Sequence, residues 1–504
     1  MIERIASINS SVNNFVWGLP MLVLLVGTGI LMTILTKCFQ LTHFKYWMKH
    51  TLGGIFANKK VTAHTAKDDR QISQFQSLCT ALAATIGTGN IAGVAAALAT
   101  GGPGSIFWMW ITAFFGMMTN YSENVLGIFY RRKNEHGEWS GGAMYYLNDG
   151  LGSKKHCKQL GKVLAILFAV FCVIASFGIG NMSQINSIAV NMNSVFGIPM
   201  AVTGVILMLI AGLVIVGGLK RIASVTEKLV PFMALAYVAG ALVIVVFNYD
   251  LIVPAFTAIF KGAFAMKAVG GGIVGSGVRS AVTWGMKRGV FSNEAGLGSS
   301  VMVHSASNVK EPVQQGMWGI FEVFADTIVV CTLTALAVLT SGVMDLNTGD
   351  MISSAEKTAL VSESFYSVFG PAGGAFIAIA ILLFAFSTTL GWSIYGTKAF
   401  EYLFGTKATI GYKIVFVLFI AVGATMNLEL AWDLSDTFNG LMAIPNLIGV
   451  ITLSKTVSDI TRNYVDRHFR GKDIVPMYSA FPVIQKEQEE KAKIEMIEQK
   501  ENVV

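Results

Sequence analysis

The residues of this chain best suited to chemistry sit in the middle of an apolar stretch. "ATIGTGNIAGVA", residues 84–95, places Gly87, Gly89 and Gly93 among Thr85, Thr88 and Asn90. A helix in lipid must satisfy its own backbone, and glycine at its centre weakens that arrangement. A break there creates new helix ends. The N-terminus of one half offers free N–H groups and partial positive charge, which suit a carboxylate. The C-terminus of the other half offers free carbonyls, which suit a small cation. Glycine also lets a ligand come close to the backbone, and Thr85, Thr88 and Asn90 add the hard oxygen ligands that Na+ takes. The stretch therefore reads as a site for a zwitterion and a cation together. The competing reading is that the glycines only permit close helix packing. A second polar interruption, "GVFSNEAGLGSS" at 289–300, lies five spans later and weighs against it.

Other constellations carry less. "GTGNIA" (87–92) fits a dinucleotide-binding pattern, but no strand precedes it and no Asp or Glu occurs between residues 71 and 122. No phosphate-binding GxxxxGK[ST] loop is present, nor a Ser/His/Asp or metal constellation, so the expectation is not an enzyme. Acids within membrane spans are functional candidates. Glu294 lies in the second interruption and Glu123 near the end of the third span. Glu322 and Asp326 are four apart, on one helix face. Glu294 and Asp326 are the candidates for coupling to a cation or proton. The bland alternative ties each acid to capping N–H groups, or to Lys287 or Arg288. His304 reads as a satisfied interior histidine.

The elements that must position these residues are membrane helices. The chain has 504 residues, 53% hydrophobic and 13% charged, with mean hydropathy +0.59. About eleven apolar runs of spanning length recur. They lie near 14–37, 72–99, 104–130, 162–192, 199–217, 223–247, 280–306, 314–341, 372–400, 411–428 and 434–458. The net charge of +7 reads as helix orientation and not as nucleic-acid binding. Lys45, Lys49, Lys59, Lys60, Lys67, Arg70, Arg131, Arg132, Lys133, Lys220, Arg221, Lys407 and Arg467 all fall on one side if the N-terminus is outside and the C-terminus cytoplasmic. The acidic 342–370 loop, with Asp345, Asp350, Glu356 and Glu363, then lies outside. The five cysteines are scattered, without disulfide or zinc spacing. "LTHFKYWMKH" (41–50) and "GGAMYYL" (141–147) read as interfacial, and the charged tail as a solvated helix or disordered segment.

Two interrupted spans separated by an odd number of crossings imply inverted halves, with a ligand site between them. The organisation expected is an extra N-terminal helix (1–40), a cytoplasmic interfacial segment (41–70), a first five-helix repeat (71–250), a second (251–465) and a charged cytoplasmic tail (466–504).

"GGPGSIFWMWITAFFG" (101–116) closely resembles the signature of the alanine or glycine:cation symporter family, the sodium:alanine symporters. "GTGNIAGVA", "KRGVFSNEAGLGSS" (287–300) and "STTLGWSIYG" (387–396) are similar to that family's other hallmark segments. Ser105 and Ala143 are small departures. The resemblance covers roughly 14–460 and implies an all-α polytopic protein of the leucine-transporter (LeuT) fold. That fold has a 5+5 inverted repeat, here with one extra helix, and works by Na+-coupled alternating access in the cell membrane. It implies import of alanine or glycine with Na+ and no other cofactor. The alternatives are proton coupling or another small amino acid on the same fold, or a sensor or channel. Carried over, the substrate carboxylate meets N–H groups at Gly87, Thr88 and Gly89. The ammonium meets Phe291, Ser292 and Asn293. Gln184 and Trp392 line and narrow the pocket, Trp392 excluding large side chains. Na+ takes the carbonyls of Ala83, Ile86 and Ala385 with the hydroxyls of Thr388 and Thr389. A second cation would need Thr85, Asn90 and Ser292.

Overall fold

A computed structural model describes residues 2–65, 71–264, 276–352, 359–426 and 429–501. Lys67, Arg70 and Glu356 lie outside them. The described chain is helical nearly throughout, with one short hairpin pairing Arg132–Lys133 with Trp139–Ser140. Among the described residues, six helices are long and apolar enough to cross a membrane, or up to eight if two sharply bent pairs each count as one span. The difference from about eleven expected spans has local causes. Met200–Val216 stops at 17 residues, Gly104–Phe129 carries the polar run Thr119–Asn124, and Ser276–Asn293 carries Arg279, Lys287 and Arg288.

The first broken helix runs Gln74–Thr85, then bends by 52° into Gly89–Gly101. Its start is fixed by a capping box: Ser73 Oγ accepts from the Gln76 N–H and Gln76 Oε1 from the Ser73 N–H, each at 3.1 Å. Its end is marked by Ile86, which turns to extended backbone. The second broken helix remains helical through Asn293, further than its sequence suggests, and resumes only at Val301–His304. Gly289 does not interrupt it. The break is made by Glu294, Gly296 and Gly298, all with left-handed backbone at φ 56°, 95° and 74°. Glycine takes that conformation freely; a glutamate held there needs outside support.

The short halves of the two broken helices are stitched together. The Ile72 N–H donates to the Ala306 carbonyl (3.2 Å), and the Asn308 N–H donates back to the Ile72 carbonyl (2.9 Å). Buried Arg131 closes the far side, donating to the carbonyls of Ser305, Ser307 and Val309, which follow Val301–His304. A guanidinium satisfies several helix-end carbonyls at once.

Two segments differ from expectation. "GGAMYYL" is not interfacial: Ala143, Met144, Tyr146 and Leu147 are buried, with Tyr146 bonded to Asn446. The tail forms the helix Pro482–Glu501, but it is anchored: Tyr478 is buried and the Ala480 N–H donates to the Phe129 carbonyl (2.9 Å).

Arg131→Ala leaves three buried carbonyls without their donor and should lower stability by about 3 kcal/mol, with Arg131→Lys recovering only part. Thermal unfolding of the detergent-purified protein measures both; equal midpoints for Arg131→Ala and the parent would remove Arg131 from this role.

Candidate functional site

The two breaks meet at a cavity at membrane depth. It is lined by Ala84, Thr85, Gly87, Thr88 and Gly89 from the first broken helix and by Phe291 and Glu294 from the second. Ile179 and Gln184, Thr388 and Trp392, and Asn439 complete the wall from three further helices. The space is about 20 Å³, room for a water molecule; an amino acid needs Phe291 or Trp392 to move. Seven of the ten expected substrate residues line it: Thr85, Gly87, Thr88, Gly89, Gln184, Phe291 and Trp392.

The other three, Asn90, Ser292 and Asn293, turn away and hold the breaks. Asn90 Oδ1 accepts from the Gly87 N–H (3.0 Å), while its Nδ2 donates to Asp326 Oδ1 (2.7 Å). Ser292 Oγ donates to Asp326 Oδ2 (2.8 Å), as does Thr327 Oγ1 (2.8 Å). Asn293 Nδ2 donates to Thr327 Oγ1 (3.0 Å) and its Oδ1 accepts from the Ala295 N–H (3.0 Å). One carboxylate thus ties both broken helices together. Asp326 lies within an eight-residue π-helical stretch, Phe324–Cys331, a distortion frequent at functional sites. Glu322, four residues earlier, has other partners: it meets His304 Nε2 (2.9 Å) and Asn120 Nδ2 (3.3 Å). His304 is a satisfied interior histidine, also contacting Gln315 and Ser77.

With the Gly87 N–H bonded to Asn90, the donors left at the cavity are those of Thr88 and Gly89. They open the half-helix and have no intrahelical acceptor. The last turn of Ser276–Asn293 packs beside them, the Phe291 ring and Ser292 Cα lying against Gly89. Thr88 Oγ1 donates to Gln184 Oε1 (3.2 Å), and Gln184 Nε2 donates to the Ile179 carbonyl (3.0 Å). Trp392 lies against Gly180, where any Cβ would strike the indole. Glu294 does not pair with Lys287 or Arg288. It accepts from Ser299 Oγ (2.5 Å) across the break, while Lys287 pairs with Asp436 (2.7 Å). Glu123 is bonded by Asn446 (2.5 Å), which also reaches the Gly296 carbonyl (2.9 Å).

Of the two hydroxyls expected at the cation site, Thr388 meets the first broken helix, together with Ser387, a register one residue earlier. Ser387 Oγ lies 3.3 Å from the Ala83 carbonyl and bonds the Phe384 carbonyl (2.8 Å). Thr388 Oγ1 also bonds the Phe384 carbonyl (3.0 Å), and it fills the space beside Gly87. A Cβ on Gly391 would sit 2.7 Å from Ala84. Residues 384, 387, 388 and 391 share one helix face, so that face meets the first broken helix. Thr389 and Ala385, bonded to each other at 3.0 Å, lie round the helix from it.

Ile179, Asn439 and Ser387 were not anticipated. Asn439, a polar residue within an apolar span, was a readable signal, and Ser387 adjoined the threonines that were chosen. Ile179 carried none.

Paired broken helices around a shared cavity are the arrangement of a membrane transporter. The chain belongs to the sodium:alanine symporter family, whose model matches residues 2–478. It is 46% identical over 458 residues to the sodium/alanine symporter AgcS of Methanococcus maripaludis, covering 91% of this chain and 97% of that one. It is 34% identical to two Bacillus subtilis proteins, the putative sodium/proton-dependent alanine carrier YrbD, over 92% of this chain and 93% of the relative, and the probable sodium/glutamine symporter GlnT, over 94% and 93%. Among solved structures, MhsT in complex with L-phenylalanine superposes with a TM-score of 0.53 at 13% identity, covering 78% of this chain and 99% of that one. The fold is that of the leucine-transporter group.

Asn90→Ala removes the acceptor for the Gly87 N–H and a donor to buried Asp326 at once. It should lower stability by roughly 2 kcal/mol and reduce transport; a thermal-shift assay showing full stability would mean the break does not depend on this side chain.

Proposed function

We propose that this protein imports a small neutral amino acid, alanine or glycine, together with Na+ by alternating access. Its N-terminus is outside and its C-terminus cytoplasmic, and segments 71–250 and 251–465 act as inverted halves. The observation that carries the reading is the first broken helix. One of its ends offers the Thr88 and Gly89 N–H groups to the cavity, and in its other half the Ala83 carbonyl accepts from the Ser387 hydroxyl, with Thr388 beside Gly87. The substrate carboxylate meets the N–H groups, and its ammonium meets the Phe291–Asn293 carbonyls and Glu294. Na+ takes the carbonyls of Ala83, Ile86 and Phe384 with the hydroxyls of Ser387 and Thr388. Family membership and the likeness to a sodium/alanine symporter support alanine and Na+. Trp392, braced on Gly180, restricts the side chain to a small one.

The test is uptake of labelled alanine into proteoliposomes under an inward Na+ gradient, compared with an equal K+ gradient. Saturable uptake with Na+ alone is expected. Uptake indifferent to Na+ would move the driving ion to H+, and no uptake with alanine or glycine would sink the substrate reading. Thr388→Ala and Ser387→Ala should each raise the Na+ concentration for half-activation roughly tenfold, the equivalent of about 1.4 kcal/mol, while Thr389→Ala leaves it nearly unchanged. The reverse order would restore the original register.

Trp392→Ala should raise relative kcat/KM for leucine over alanine by about tenfold or more, measured by competition uptake. Unaltered selectivity would reject Trp392 as the size limit.

A further inference from the structure

On the side of the molecule that carries the C-terminal tail, a second cavity of about 440 Å³ opens where the helix Lys158–Phe177 begins. Asp149, Ser153, Lys158, Gln159, Lys162 and Phe481 line it, and it shares no residue with the transport cavity. The neighbouring cations are engaged. Arg132 pairs with Asp149 and lies over the Phe481 ring (5.4 Å), Lys133 pairs with Glu487 (2.8 Å), and Lys154 donates to the Thr452 carbonyl. Lys158 and Lys162 are not engaged. Both are exposed, and among the described residues neither has an ion pair or a side-chain hydrogen bond.

These two lysines stand four apart, on one row of their helix, and the row continues to Ile166. Ile166 is exposed, as are Leu160, Val163 and Leu167 around it. The helix opens the apolar stretch Lys158–Phe196, which is long enough to span a membrane. Its exposed apolar side chains therefore face lipid tails, while the lysines stand at the headgroup level. Helix orientation asks only for positive charge on this side. It does not ask that two lysines share a row, open on a cavity and lead into a lipid-facing stripe. The wall also holds an acceptor that lacks a donor. Asp149 Oδ1 is taken by Arg132 and by Asn148 Nδ2 (2.8 Å), whereas its buried Oδ2 has no donor among the described residues. The ligand that answers all three features has a phosphate, a hydroxyl donor beside it and apolar chains below.

We propose that this cavity binds an anionic phospholipid whose headgroup carries hydroxyls, phosphatidylglycerol being the simplest. The phosphate meets Lys158 and Lys162, with Gln159 and Ser153 beside it, and a headgroup hydroxyl donates to Asp149 Oδ2. An acyl chain follows Ile166 and Val163 along the helix. Basic pockets at the ends of membrane helices hold charged headgroups in this way. Phe481 closes the site, so the lipid meets the tail just where the Ala480 N–H is bonded to the Phe129 carbonyl. The site is separate from the transport cavity, and it stands whether or not alanine and Na+ are the cargo.

The test titrates delipidated, detergent-purified full-length protein with dioleoylphosphatidylglycerol and follows bound lipid by native mass spectrometry. Lys158→Gln/Lys162→Gln should weaken the tightest binding event about tenfold or more, since each lysine near a charged lipid surface contributes severalfold. Lys158→Arg/Lys162→Arg should keep it. Dioleoylphosphatidylcholine has the same chains but no net charge and no headgroup donor, and should bind the parent about tenfold more weakly. Equal binding by the glutamine variant and the parent would overturn the proposal. So would an equal loss in Lys45→Gln/Lys49→Gln, beside the Tyr46–Tyr464 contact on the same side, which would make the attraction one of general surface charge. Glycerol 3-phosphate binding as tightly as the lipid would make this a soluble-phosphate site and overturn the lipid assignment. A lipid-free glutamine variant that unfolds earlier, with no recovery by arginine, would assign the lysines to the fold instead.

Discussion

Backbone that leaves the helix at membrane depth must be satisfied by something other than water, and here side chains from both breaks converge on one carboxylate. Asp326 accepts from Asn90, Ser292 and Thr327, and Asn90 in turn accepts the Gly87 N–H. The first break cannot open or close without altering this set, and the second break is held to the same acid through Ser292. Unsatisfied backbone in hydrocarbon costs several kcal/mol per group. The two breaks are therefore one unit: a change of shape at either is felt at the other. The π-helical stretch Phe324–Cys331 sets Asp326 at this junction, while Glu322 on the preceding turns serves a separate network with His304.

Around this unit the fold sorts its polar groups by task. The Thr88 and Gly89 N–H groups open one half-helix and the end of Ser276–Asn293 lies beside them, an order that suits the zwitterion proposed. The Ser387–Thr388 face lies against the other end of the same break, so a cation and an amino acid bound as proposed would press on one short piece of backbone. A ligand shifts a conformational equilibrium only by as much as it prefers one state. Two ligands that prefer the same arrangement of one broken helix will favour each other without any direct contact. Arg131 and the Ile72 bridge lock the short halves of both broken helices, and Lys287 ties the second one to Asp436 of the helix Glu429–Thr452.

Much of this was legible before any coordinates. The glycines and hydroxyls of "GTGN", with a second polar interruption five spans later, announced a break, and the family motifs carried the fold. Other features were not legible, for physical reasons. In "FSTTL" consecutive hydroxyls occupy adjacent angles of a helix, so sequence alone does not fix which one faces its neighbour. The extent of the second break was misread because Gly289 merely packs near Met109, whereas Gly296 and Gly298 adopt the left-handed backbone. The partners of Lys287 and Arg131 lie far along the chain, beyond the reach of local pattern. Asn90, read as a ligand, instead closes the break, a role that only its position against Asp326 reveals.

The central claim is that substrate and cation share one broken helix, and reciprocal linkage tests it most directly. The alanine Kd would be measured with and without saturating Na+, and the Na+ Kd with and without saturating alanine, on the same purified protein. Shared use of the break predicts that each ligand tightens the other by the same factor, about tenfold or more. Affinities indifferent to the partner ligand would contradict it.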